Sequence, residues 1–212
     1  MVSLIAIVVK LREESMFLKG KKCRFFVMAG VPYGYIYLES RNNTFILVAE
    51  CIQEFLVNVI SEGAVTEDEA ADIDRAMTEH GILPSIGDVI AKIRAVDLAP
   101  ELIGDFDDWG FELCANCTDP IPHGNLVHKG EVVVRETPYL SLTELLSDLR
   151  DKVHSEVMAP QEAIQVFQKA ADLDLPSTME EQDARFQALP DEVKVKMWAP
   201  PTKTIVVKIT TT

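Results

Sequence analysis

Leu142, Leu145, Leu146, Leu149 and Val153 recur at three- and four-residue steps, which sets them along one side of an α-helix. A helix with such a stripe is stable only when the stripe is buried against a second apolar surface. Ser141-Leu142-Thr143-Glu144 has the pattern of a capping box, so the helix is predicted to start there and to run to about Val157. The complementary layer has to come from elsewhere in the 212 residues.

Further helices offer it. Thr66-Glu67-Asp68-Glu69 is a capping-box pattern whose acids also suit the positive end of a helix dipole, and this helix should stop at Gly81. Pro84-Ser85 starts another, with Ile86, Val89, Ile90, Ile93 and Val96 as its stripe. Val48, Ile52, Phe55, Leu56, Val59 and Ile60 predict a buried helix over roughly 46–62, closed by Gly63. After Ala159-Pro160 comes a helix carrying Ile164, Val166, Phe167 and Ala170, and Ser177-x-x-Glu180 begins one more that includes Phe186 and Leu189.

Strands are expected in SLIAIVVKL, KCRFFVMAG and YGYIYLES, short β-branched and aromatic runs separated by the charged REES segment and by a turn at Gly30-Val31-Pro32-Tyr33-Gly34. EVVVRETPY and the closing TKTIVVKIT read the same way, and residues 98–130, rich in Asp, Gly and Pro, read as the least regular part. The fold class expected is α/β or α+β: a mixed sheet of N-terminal, central and C-terminal strands, covered by several helices, with a zinc-knuckle-like loop. One domain over 1–212 is the economical organisation, and a lobe break, if there is one, falls near 98–113.

The opening MVSLIAIVVKL has no preceding basic residue and no cleavage pattern after it, and it falls far short of the ~20 residues that span a bilayer. It reads as a buried strand in a cytoplasmic protein with no membrane partner; Met16 is a second candidate start. Four cysteines, Cys23, Cys51, Cys114 and Cys117, do not indicate a disulfide framework. In a chain that is not exported, a Cys-x-x-Cys pair points to a metal or a redox role.

The net charge of −14 is unevenly spread. Residues 62–119 hold fifteen Asp and Glu against three Lys and Arg, whereas residues 1–61 hold five against seven. Such a surface repels phosphate backbones, so direct nucleic-acid binding is disfavoured and a protein partner with a basic surface is favoured over one that is acidic. A solvated helical face accounts for the same charges without any partner.

The stretch CANCTDPIPHGNLVH carries the sharpest chemistry: Cys114, Cys117, His123 and His128 make two thiolates and two imidazoles, a complete tetrahedral set for zinc. Asp119-Pro120, Pro122 and Gly124-Asn125 would let the chain double back around the ion, and metal binding would fold a loop with no core of its own. The alternative is a surface loop with a thiol pair and two solvated histidines. With only Cys114, Cys117 and His123 bound, zinc would keep an open position for water, and Asp119 or Glu112 would be the nearby acid or base of a zinc-dependent hydrolase or deaminase. The His-x-Glu pattern of nucleobase deaminases is missing.

Cys114-x2-Cys117, followed by Ile121-Pro122 and then Leu126, resembles the first half of the zinc finger in the DksA/TraR family, whose members act on bacterial RNA polymerase. The resemblance implies Cys114 and Cys117 as zinc ligands. The family's second cysteine pair is absent, so His123 and His128 would have to replace it. The spacing is also similar to the retroviral-type zinc knuckle, with a longer middle loop and His in the last position. That module binds single-stranded nucleic acid through basic and aromatic neighbours, whereas the flanks here are acidic.

Other signatures fail. Asp105-Phe106-Asp107-Asp108-Trp109-Gly110 begins like a calcium loop, but Trp109 occupies a ligand position and Asn116 stands where Glu is needed. A phosphate-cradling glycine loop, a nucleophile elbow and an HExxH helix are all absent from the sequence. His80 and His154 fall at or near helix ends, where a solvated histidine is the ordinary case. The expected function is a non-enzymatic acidic adaptor or regulator of the kind phages and bacteria encode, including one that mimics DNA charge, with a zinc-stabilised loop. A purely structural subunit is the third reading.

Overall fold

The computed structural model describes residues 12–18, 21–27, 37–39, 49–63, 65–98, 108–115 and 119–198. They form an α+β protein. Strands β1 (Arg12–Leu18), β2 (Lys21–Val27) and β3 (Tyr37–Glu39) make an antiparallel meander in that order. Three helices follow, α1 (Ile52–Ser61), α2 (Glu67–Glu79) and α3 (Ile86–Arg94), then a second antiparallel sheet of β4 (Trp109–Leu113), β5 (Gly124–His128) and β6 (Glu131–Val132). Helices α4 (Leu142–His154), α5 (Pro160–Asp172), α6 (Met179–Ala188) and α7 (Asp191–Trp198) complete the described chain.

The helix starts follow from their side chains. Thr66 accepts the Glu69 amide at 3.3 Å while the Glu69 carboxylate accepts the Thr66 amide at 3.0 Å. Ser85 and Asp88 repeat the exchange for α3. Each pairing satisfies two amides that a helix start would otherwise leave open, and a single cap of this kind contributes about 1 kcal/mol.

The leucine stripe of α4 finds its layer. Leu142, Leu145, Leu146 and Leu149 are buried to 1 % exposure or less, against Ala163, Ile164 and Phe167 of α5, Val89, Ile90 and Ile93 of α3, and Phe111 and Leu126 of the second sheet. A second, smaller core joins Ile52, Phe55 and Val59 of α1 to Ile73 and Met77 of α2, with Val65 and Ile82 closing its ends. The amides of Ile52 and Gln53 bond to the carbonyls of Leu83 and Pro84 at 2.9 and 3.0 Å, which fixes the start of α1 against the link between α2 and α3.

Several expectations are corrected. Arg12-Glu13-Glu14-Ser15 does not separate strands but lies within β1, paired residue for residue with β2 from Arg12↔Val27 to Leu18↔Lys21. The ladder is made by backbone N–H and C=O groups, which charged and apolar residues carry alike. Among the described residues there are two sheets, and every strand pair is antiparallel; the first and last strands of the expected mixed sheet lie outside those residues. Pairing close in sequence closes a short loop at lower entropic cost than pairing across three helices. Part of the expected irregular stretch is a hairpin, β4 and β5, whereas EVVVRETPY contributes only Glu131–Val132.

Smaller shifts have local causes. α1 begins at Ile52, because Cys51 is extended with φ −145 and ψ 168. Ser141 caps α4, but Glu144 reaches past it to the Leu140 amide at 2.8 Å, so the box is incomplete, and the helix ends at His154. α6 is capped by Thr178 with Glu181, one residue after the expected Ser177 with Glu180, and α7 adds a helix that periodicity did not indicate. SLIAIVVKL, the 30–34 turn and TKTIVVKIT lie outside the described residues.

Candidate functional site

The β4–β5 hairpin positions the Cys and His residues. Phe111 and Leu126 are cross-strand partners, both buried, and they anchor the hairpin in the main core. Beside them Gly124 admits no side chain, since a Cβ there would come within 2.7 Å of the Phe111 ring. Its backbone is also held by Tyr139, with N–H to O distances of 3.1 and 2.7 Å in the two directions.

Cys114 and His123 close the hairpin just beyond this point. The Cys114 amide donates to the His123 carbonyl at 3.0 Å, and Asn125 Nδ2 lies 3.3 Å from Cys114 Sγ as a donor. His123 is 8 % exposed, and its Nδ1 lies 2.9 Å from the Ile121 carbonyl. A carbonyl can only accept, so Nδ1 carries a proton, and in the neutral ring this leaves the lone pair on Nε2. Metal-binding histidines are commonly oriented by such a bond. Asp119 Oδ1 accepts the Ile121 amide at 2.9 Å and shapes the turn, which commits one oxygen of that candidate acid.

His128 is elsewhere. It pairs with Trp109 at the opposite end of the hairpin and stacks on the indole with ring centroids 4.2 Å apart and planes 22° apart. Four residue steps of strand separate it from Gly124, about 13 Å of rise. The structure therefore brings Cys114 and His123 together and does not bring His128 to them. Cys117 lies outside the described residues, as do most residues of the acidic run before Trp109. Among the described residues no group of three or more His, Cys, Asp and Glu side chains is gathered where it could hold a metal ion.

The acidic segment resolves into a surface. α2 turns Ile73 and Met77 inward, and Glu67, Asp68, Asp72, Asp74 and Glu79 are exposed. Arg75 approaches Asp72 at 3.6 Å, an exposed pair that offsets little of this charge. His80 caps the end of α2 and His154 ends α4, both exposed, in the helix-end positions expected of them.

One pair escaped sequence reasoning. Arg150 Nη1 donates to Glu50 Oε1 at 3.2 Å, with both residues 6 % exposed. Burial pushes the Glu50 carboxyl up to about 8, against the opposing pull of Arg150. Glu50 Oε2 is buried with no hydrogen-bond partner among the described residues. A signal existed: Arg150 sits four residues after Leu146, on the inward stripe, where an unpaired cation would be very costly.

Comparison with protein-family models, curated proteins and solved structures finds no match for this chain. Among the described residues no helix is long and apolar enough to cross a membrane.

Proposed function

We propose that this chain is a non-enzymatic adaptor or regulator that binds a basic protein partner through the outward face of α2. The supporting observation is that Glu67, Asp68, Asp72, Asp74 and Glu79 are all exposed on a helix whose apolar side is spent on its own small core. Carboxylates spaced along a helix present a row of negative charge that a nucleic-acid-binding protein meets as it meets phosphates, so binding should be fast and salt-sensitive. The test is crosslinking and affinity capture with the intact chain beside an Asp68→Asn, Asp72→Asn, Asp74→Asn variant. A partner held by the first, released by moderate salt and lost in the variant supports the reading. Capture that is equal in both, or indifferent to salt, counts against it.

A zinc-bound loop belongs to the same proposal, with Cys114, Cys117 and His123 as ligands. What supports it is the closeness of Cys114 to His123 and the carbonyl-oriented Nδ1 of His123. The distance of His128 favours three protein ligands over four, and on that observation rests the second reading, a zinc-dependent hydrolase or deaminase with an open metal position. Cobalt-substituted protein separates the two. A visible spectrum that shifts on adding azide marks an exchangeable position; an indifferent spectrum marks a closed, structural one.

A further inference from the structure

Strand β6 is an outer strand of the second sheet among the described residues, and the chain runs on from it through Val133, Val134 and Arg135 without a bend. We propose that residues 131–135 form a self-complementary edge that pairs antiparallel with the same segment of a second copy of this chain, about a two-fold axis at Val133.

The backbone fixes which groups this edge offers. Lys129 and Gly130, with φ of 53 and 78, make a two-residue turn, so His128 and Glu131 face each other across it. Two residues further on, the Val133 amide donates to the Leu126 carbonyl at 2.9 Å. Successive residues of a strand turn their N–H and C=O groups to opposite sides. Glu131 and Val133 therefore direct theirs at β5, and Val132 and Val134 direct theirs outward. A second copy lying antiparallel, with its Val134 opposite Val132, meets those outward groups in both directions, and the two-fold axis repeats the match on the other side of Val133.

Side chains select the same register. It sets Glu131 against Arg135 at both ends, whereas parallel pairing would set Glu131 against Glu131 and Arg135 against Arg135. Moving the axis to Val132 would set Arg135 against Lys129. Opposite charges directly across a strand pair stabilise it and like charges oppose it. Arg135 is held in place by Tyr139, whose ring centroid lies 4.1 Å from the guanidinium carbon, and its Nη2 stands 3.9 Å from Glu144, beyond hydrogen-bond distance. That arrangement leaves guanidinium donors for a facing carboxylate.

The apolar surface agrees. Val134 is 96 % exposed and Val132 52 %. They share one face of the strand, and in this register each is set beside the other's counterpart, where both lose contact with water. Exposed edges are usually blunted by lysine, proline or a bulge; residues 131–135 contain neither lysine nor proline and carry valine in the middle. The patch is small, so association should be weak, with a dissociation constant of about 10–100 µM. It should stop at two copies, because symmetric pairing occupies the edge of both.

The experiment is sedimentation equilibrium of the intact chain in reducing buffer over about 5–500 µM, where a monomer–dimer equilibrium is expected. Val134→Pro removes an outward donor at an edge position of the kind that tolerates proline, and should weaken the dimer at least about tenfold with an unchanged circular dichroism spectrum. Charge exchange tests the register itself. Glu131→Arg sets like charges opposite each other, as does Arg135→Glu, so each variant alone should stay monomeric where the parent dimerises. An equimolar mixture of the two restores opposite charges at both ends and should associate like the parent. A monomer over the whole range, a dimer unaffected by Val134→Pro, growth beyond the dimer, or a mixture of the folded charge variants no more associated than its components would overturn the proposal. The edge shares no residue with the outward face of α2, so this proposal and the adaptor reading can fail separately.

Discussion

Arg150 and Glu50 lie one hundred residues apart in sequence and meet at 3.2 Å, a buried hydrogen bond that ties the start of α1 to the middle of α4. α1 contributes to the smaller apolar core and α4 to the main one, so this contact is a polar bridge between them.

The bridge makes stability depend on pH in a defined direction. Glu50 holds its proton up to about 8 in the folded chain and releases it near the ordinary value of 4.5 when unfolded. Between those values the folded state binds more protons, so stability from this group is full at acid pH and is lost as the pH rises towards 8. Chemical denaturation from pH 5 to pH 9 is expected to show that decline. Glu50→Gln, which cannot ionise, should flatten the curve and leave the variant more stable than the parent at pH 9. Parallel curves for the two proteins would show that Glu50 is ionised at neutral pH.

Gly124 should not tolerate a methyl group. A Cβ there would meet the Glu112 carbonyl and lie 2.7 Å from the Phe111 ring. Neither the backbone nor a fully buried ring can move aside cheaply. Gly124→Ala is expected to cost about 1–3 kcal/mol in urea denaturation, and Gly87→Ala, where Ser85 Oγ is 3.6 Å away, far less.

Helix starts should differ in weight with their burial. Ser141 Oγ is wholly buried; it accepts the Glu144 amide at 3.3 Å and meets Thr143 Oγ1 at 2.9 Å. Thr66 is exposed. Ser141→Ala should cost about 2 kcal/mol and Thr66→Ala about 1 kcal/mol or less, read as shifts of the denaturation midpoint at constant slope.

Metal content sorts the histidines. Protein purified without added zinc or a metal-binding tag is expected to hold about one zinc per chain, and Cys114→Ser, Cys117→Ser and His123→Ala should each lose it. His128→Ala should keep the metal and lose only the stacking on Trp109. Loss of zinc in the His128 variant alone would mean that His128, not His123, is the ligand.

Local chemistry explains what could be read early. The box at Thr66, the cap at Ser85 and the leucine stripe after Ser141 are decided by atoms within four residues of each other, and all three helices start where those residues stand. The cap of α6 slipped because Ser177 and Thr178 are chemically alike and each has an acid three residues on. Among the candidate ligands, Cys114 and His123 meet through a backbone hydrogen bond that spacing alone did not indicate. His128 was misplaced because linear spacing does not say that Gly124–His128 is an extended strand, which carries its ends apart.

The amino-acid sequence alone thus determined the starts of α2, α3 and α4, their inward faces and the acidic exterior of α2, since each depends on periodicity and on nearest neighbours along the chain. Tertiary structure decided that the described strands divide into two sheets, that His128 stacks on Trp109, and that Glu50 finds Arg150. Those outcomes depend on which distant surfaces exclude water together, and a buried carboxyl reveals itself only once its neighbours are in place.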